Sequence, residues 1–302
     1  MGAQLPEADA GGAAATLAVA PTVAEPSARR GWTRNLDVII PGALIGLLLF
    51  LCFVWPLFGT VPEPTGGNIL DANIPSFSSG HPLGTDQVGN DLWSRLLYGG
   101  RNSLEIAFAV NVIGLVLGGL LGAFAAFWGS FTDTVIMRVL DVLIAFPSLV
   151  LALAIAQSLG PSKLHTIYAL SFFSVPAFAR LARAQTLRLR ERPFMLAARL
   201  AGTRAPRILL RHVTPNILPA LVTFGLLGIG VTIILEGALS FLGLGIPPPQ
   251  PSWGNMIFEG QAVLSAEPKL VLLPSAFLFV TVLAFNLLGD GLQDALNPRR
   301  GR

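Results

Sequence analysis

The sequence is poor in the residues that build redox, disulfide or metal chemistry. Among 302 residues there is one cysteine, Cys52, which excludes an internal disulfide. The three histidines, His81, His165 and His212, lack the spacing of metal ligands. There is no GxxxxGK[ST] motif, so the chain does not bind ATP through a P-loop. No Ser/His/Asp or Cys/His arrangement is evident either, and we therefore predict no catalytic residue and no metal site.

Charge is scarce as well. Only 12% of the residues are charged, 53% are hydrophobic, and the mean hydropathy is +0.66. A soluble globular domain of this length is far less apolar, so the composition predicts a membrane protein. The net charge of +3 is small, and much of the positive charge lies in one segment, which argues against nucleic-acid binding.

That basic segment is residues 180–219, which contain nine of the twenty Lys and Arg residues, all of them Arg. Apolar runs of bilayer length flank it, so we interpret it as a cytoplasmic loop between two spans. Gly202 is suited to end a helix, and Thr203 with Pro206 can open the next. The segment therefore predicts two short helices joined by a tight turn, a shape suited to docking a partner. The alternative is that its Arg residues only set membrane orientation.

Uncharged stretches elsewhere predict an all-α, polytopic membrane protein with six transmembrane helices and both ends in the cytoplasm. The predicted spans are residues 38–62, 106–132, a third through 145–160, 164–179 with a borrowed turn, 212–235 and 270–289. The predicted organisation is a disordered cytoplasmic tail (1–35), the first span (36–62), an extracytoplasmic segment (63–102), a five-helix core (103–295) containing a cytoplasmic coupling loop (180–215), and a cytoplasmic tail (296–302).

Within the extracytoplasmic segment, apolar residues at helical spacing predict a short interfacial helix. Thr85 or Asp86 would cap it, and Gly99 with Gly100 would end it.

Two patterns predict contacts between helices. Gly114, Gly118 and Gly122 recur every four residues, which allows close approach of an unidentified neighbouring helix. Farther on, Asp133 or Asp141 is expected to pair with Arg138 on the same helix. We favour a structural ion pair there over a proton relay.

Glu236 interrupts the fifth apolar run. If that helix begins near Pro215, Glu236 lies ~31 Å along it, near the outer interface. Structural pairing or solvation is the favoured interpretation, and the alternative is that it lines a substrate passage. The candidate passage residues are Glu236, Ser240 and Asn286.

Several motifs together resemble one family. LAARLAG (196–202), followed by NILP (216–219), resembles the "EAA" loop by which bacterial ABC importer permeases contact their ATPases. Leu196 stands where that family has Glu. HPLGTD (81–86), LEGALSFLGLGIPPPQPSWGNMI (235–257) and VTVLAFNLLGDGLQDALNPR (280–299) are similar to the C-type permeases of dipeptide and oligopeptide importers.

The resemblance implies a type I ABC importer permease in the bacterial plasma (inner) membrane. It also implies a second homologous permease, one or two ABC ATPases that bind ATP and Mg²⁺, an extracytoplasmic solute-binding protein, membrane lipid, and no nucleic acid. Peptides are the expected substrates, and the alternative ligands are a nickel chelate or a glutathione-like peptide. The alternative class of protein is a self-sufficient secondary transporter. The residues predicted for ATPase coupling are Ala197, Ala198, Arg199, Gly202, Arg204, Arg207, Arg211, Pro215, Ile217 and Pro219.

Overall fold

The computed structural model of the protein describes residues 31–59 and 61–296. Over this part of the chain the secondary structure is helical apart from two isolated β-bridges, which confirms the all-α prediction. Most of the predicted N-terminal tail and nearly all of the predicted C-terminal tail lie outside the described residues. The helices are α1 (Gly31–Leu49), α2 (Leu92–Ile113), α3 (Gly119–Trp128), α4 (Ser130–Ile144), α5 (Ser148–Leu159), α6 (Lys163–Arg190), α7 (Pro193–Leu200), α8 (Ala205–Ile208), α9 (Thr214–Phe241), α10 (Trp253–Gln261) and α11 (Lys269–Leu296).

Several of these helices are joined end to end by π-helical turns. Four continuous helices are long and apolar enough to span a membrane: Leu36–Phe58, Leu92–Trp128, Ala205–Phe241 and Lys269–Ala295. Helices α4 and α5 meet at an 82° bend and make a fifth span if they are counted as one. Helix α6 has 28 residues but is too polar to meet the same measure. The predicted count of six spans is therefore approximate.

The predicted bounds of the short helix after Thr85 are wrong, because residues 85–91 are not helical and residues 92–100 form the first turns of α2. Its position at a membrane interface stays a prediction. Asp91 precedes the helix, and its Oδ2 accepts a hydrogen bond of 2.8 Å from the backbone N–H of Ser94. The helix continues through Gly99 and Gly100 because these glycines serve close packing. A Cβ at Gly100 would lie 2.5 Å from Cζ2 of the buried Trp253 ring.

The glycine ridge at Gly114, Gly118 and Gly122 packs against α6, which identifies the neighbour that the sequence left open. A Cβ at Gly118 would lie 2.3 Å from the carbonyl oxygen of Val175, and one at Gly122 would lie 2.0 Å from that of Ala179. Glycine is therefore needed at these positions for the two backbones to touch.

Helices α2, α6, α9 and α11 form the centre of the bundle. The segment before α2, residues 61–91, folds over one end of the bundle and is called the cap segment below. The short helices α7 and α8 lie at the other end, where Met195 and Ile208 pack against Phe127 and Phe178. The continuous helix Leu92–Trp128 connects the two ends over ~55 Å.

Candidate functional site

The basic hairpin, defined here as α7, the turn at residues 201–204 and α8, has the predicted local geometry. Gly202 has φ of +72°, and its N–H donates to the carbonyl of Arg199 at 3.0 Å. The N–H of Thr203 donates to the carbonyl of Ala198 at 3.1 Å. These two bonds form a Schellman motif, so the prediction that Gly202 ends the first helix is confirmed. The second helix begins at Ala205, later than Thr203 would place it.

The hairpin is held to the bundle by its apolar inner face. Met195 and Ile208 of the hairpin are buried there, and Leu209, Val213 and Ile217 of the helix that follows are buried beside them. Ala198 packs against the same cluster, which includes side chains from α3 and α6. Of the predicted coupling residues, Ala198 and Ile217 therefore face the bundle and anchor the hairpin instead of forming its outer surface.

The outer face combines exposed leucines with arginines. Leu196 and Leu200 lie one helical turn apart on α7 and are 51% and 89% exposed. Arg199 lies beside them, with its guanidinium 5.7 Å from the ring centroid of Phe127. The other exposed residues among the predicted coupling set are Ala197, Gly202, Arg204, Arg207, Arg211, Pro215 and Pro219. Apolar anchors within a rim of Arg side chains are typical of a protein interface.

The hairpin continues directly into a membrane-spanning helix. Helix α8, the π-helical turn Leu209–Val213 and α9 form one helix, Ala205–Phe241. Helix α8 of the hairpin and the membrane-spanning part of α9 are therefore joined without a loop in one helix of ~55 Å. The π-helical turn at this junction is the feature that sequence patterns missed.

The predicted ion pair with Arg138 is wrong. Asp133 accepts two hydrogen bonds of 2.6 Å from Arg183 on α6, and Asp141 accepts one of 2.7 Å from Arg180. These pairs therefore join α4 to α6. Charge spacing along one helix could not reveal them, because the arginines lie 39 and 50 residues further along the chain.

Glu236 is fully buried where α2, α9 and α10 meet. One carboxyl oxygen accepts a hydrogen bond of 2.7 Å from Ser240, and the hydroxyls of Ser103 and Ser252 lie close by. Its Oε2 has no partner of hydrogen-bond geometry among the described residues. The predicted structural pairing of Glu236 is present as its hydrogen bond with Ser240, whereas the predicted solvation of Glu236 at an interface is wrong. Distance along α9 does not show that α10 covers the Glu236 side chain.

The three candidate passage residues do not form one group. Glu236 and Ser240 lie together and are buried within the chain. Asn286 on α11 instead faces Gly230 on α9, ~9 Å from Glu236 along the helix axis. A role for any of the three in a passage stays a prediction.

Comparison with known proteins identifies the class. Residues 114–302 match the family described as the binding-protein-dependent transport system inner membrane component, and the chain belongs to that family. It is a membrane permease subunit of an ABC importer, a class that works with ATPase and substrate-binding partners.

Curated relatives resemble it over most of its length. A glutathione transport system permease protein of Pectobacterium atrosepticum is 38% identical over 94% of this chain and 97% of its own. A dipeptide transport system permease protein of Alkalihalophilus pseudofirmus is 37% identical over 85% of this chain and 86% of its own.

A solved structure supports the architecture. The chain is similar to a chain of the inward-facing MetNI methionine ABC transporter, with a TM-score of 0.56 and 16% identity, covering 68% of this chain and 97% of that one. At this identity the similarity shows the fold alone. That fold is the ABC importer permease fold that the motifs predict.

Proposed function

We propose that this permease carries peptides across a bacterial inner membrane, and that an ATPase docks on the basic hairpin. The observation that carries the proposal is the outer face of the hairpin, where Leu196 and Leu200 stand exposed beside Arg199. An exposed leucine pair is costly to leave in water, so a partner surface is expected to cover it. Leu196 replaces the usual Glu of the family and supplies an apolar contact at that position.

ATP and Mg²⁺ are bound by the partner ATPases, and this chain converts their movement into opening of the passage. A shift of the docked hairpin moves α9 as one rigid body, since the two are continuous. The far end of α9 carries Glu236, which is packed against α2 and α10. Movement of α9 therefore rearranges the contacts at the opposite end of the bundle.

The proposed orientation places the hairpin and both chain ends in the cytoplasm. The nine Arg of residues 180–219 support it, because positive residues concentrate on the cytoplasmic side. A second homologous permease and lipid then cover the apolar residues exposed along α4, among them Val139 and Val142. The cap segment faces the binding protein.

Peptide transport is supported by the curated relatives, whose names specify glutathione and dipeptide transport. The test is uptake of a radiolabelled dipeptide into proteoliposomes that contain the tagged chain and the subunits that purify with it. We expect uptake that requires ATP, the binding protein and a hydrolysis-competent ATPase. Uptake driven by a proton or sodium gradient without ATP would contradict the proposal and favour a secondary transporter.

A further inference from the structure

A cavity of about 380 Å³ lies between the cap segment and α10. Part of its lining is apolar and includes Val88, Met256 and Leu270, which are called the apolar wall below. The charged part of the lining consists of Asp86, Arg95 and Glu259 and is called the polar wall. The cavity is therefore amphipathic, with space for a small ligand that has one polar end.

Arg95 is the central charged group of the polar wall and is only 4% exposed. Its Nη1 donates to Asp86 at 3.0 Å, and its Nη2 donates to Oε2 of Glu259 at 2.6 Å. Both terminal nitrogens thus already have carboxylate partners. Arg95 organises the wall and is poorly placed to bind an anion as well.

The two carboxylates differ in what they still can bind. Asp86 also accepts hydrogen bonds from the N–H groups of Val88 and Asn90 and from the Asn90 side chain. Glu259 has no second partner at Oε1 among the described residues, and its side chain is 38% exposed. Partial burial raises the pKa of Glu259, while Arg95 acts in the opposite direction. Oε1 of Glu259 is therefore a charged acceptor in the cavity lining that has no hydrogen-bond partner among the described residues.

The charge balance also favours a cation. Asp86, Glu259 and Arg95 together carry one net negative charge. The nearby Lys269 does not cancel it, because its Nζ bonds the carbonyl of Ile74 at 3.1 Å and lies 3.3 Å from Glu267. A ligand with a cationic head and an apolar body complements both walls.

We propose that this cavity binds a primary ammonium group on an apolar stem, with the ammonium on Oε1 of Glu259 and the stem against Val88, Met256 and Leu270. Two sources present this chemistry: the amino terminus of a small peptide and the side chain of a lysine in a docked protein. The site is distinct from the hairpin and does not rest on the proposed function. Its test is a binding measurement that needs no ATPase.

The experiment is calorimetric titration of the full chain in lipid nanodiscs with n-butylammonium, using n-butanol and n-butyrate as matched probes. We expect butylammonium to bind and the other two not to. Glu259→Gln should weaken binding about tenfold or more, since a hydrogen bond between charged groups is lost. Glu191→Gln, which removes an exposed acid just after α6, at the hairpin end of the bundle, should leave the affinity unchanged.

One further variant and three further probes complete the test. Val88→Phe fills the apolar wall without touching the ion pairs, so it should weaken binding in a chain with an unchanged melting temperature. Alanyl-leucinamide and its N-acetyl form test the amino-terminal source, and Nα-acetyl-lysine methylamide tests the lysine source. Equal binding of butylammonium and butanol, preferred binding of butyrate, or full affinity in either Glu259→Gln or Val88→Phe would overturn the proposal.

Discussion

Substitution of Gly202 tests whether the shape of the hairpin matters for coupling. No atom lies within 4 Å of a Cβ built at Gly202, so a side chain there meets no steric clash. The cost is conformational, because a left-handed residue with a Cβ is unfavourable by roughly 1–2 kcal/mol. That cost lowers the population of the closed turn by about 5–30-fold.

The expected order of effects follows from side-chain type. Gly202→Asn should be mild because Asn tolerates the left-handed region, Gly202→Ala intermediate, and Gly202→Val most severe because it is β-branched. The assay is the number of peptides transported per ATP hydrolysed in proteoliposomes. We expect this ratio to fall in that order while the chain still inserts into the membrane.

The chain offers a matched control at the other end of α9. Gly243 has φ of +77°, its Cβ would also meet open space, and the same pair of hydrogen bonds closes its turn. Gly243→Val therefore imposes the same strain far from the hairpin. If Gly202→Val and Gly243→Val changed the transport ratio equally, or if neither changed it, the account of the hairpin would be refuted.

Three further predictions concern stability and packing, each checked by thermal unfolding in detergent. Gly118→Ala should destabilise the chain by about 1–3 kcal/mol because it forces the continuous helix Leu92–Trp128 away from α6. Gly46→Ala, whose Cβ meets no atom within 4 Å, should have little effect, and equal melting temperatures of the two variants would contradict this. A double-mutant cycle of Asp133→Asn and Arg183→Gln should give a coupling of about 1 kcal/mol, because the pair is bidentate but partly exposed, and a coupling near zero would count against it. Glu236→Gln should be tolerated because it keeps the contact with Ser240, while Glu236→Ala should cost about 2–4 kcal/mol by leaving a cavity, and the reverse order would refute the buried assignment.

The sequence predicted best those features that depend on neighbouring residues. The sequence predicts that Gly202 ends a helix, and it does, because a Schellman turn is completed within a few residues. The spacing of Gly114, Gly118 and Gly122 predicts a packing surface but does not identify α6 as its partner. Gly99 and Gly100 do not end the helix as predicted, since a glycine that makes room for a distant side chain looks the same in sequence as one that ends a helix. Trp253, the side chain that Gly100 admits, lies more than 150 residues away.

Polar groups inside the bundle were the hardest to predict. Charge spacing predicts that Asp133 pairs with an arginine on its own helix, whereas in the bundle it pairs with Arg183 of α6. The distance along α9 predicts that Glu236 lies at an interface, whereas α10 folds over it and buries it. In both cases the surroundings of the carboxylate depend on another helix, α6 or α10, which is distant in sequence and contacts it only in the folded bundle.

The most direct measurement of the central claim is site-specific cross-linking from the hairpin. In a Cys52→Ala background, a cysteine replaces Leu200, which is 89% exposed on the hairpin, or Phe77, which is 91% exposed on the cap segment. We predict that Leu200→Cys cross-links to an ATPase in assembled membranes and that Phe77→Cys does not. An ATPase cross-linked from Phe77→Cys but not from Leu200→Cys, or from neither in a complex that hydrolyses ATP, would contradict the assignment of the hairpin as the docking surface.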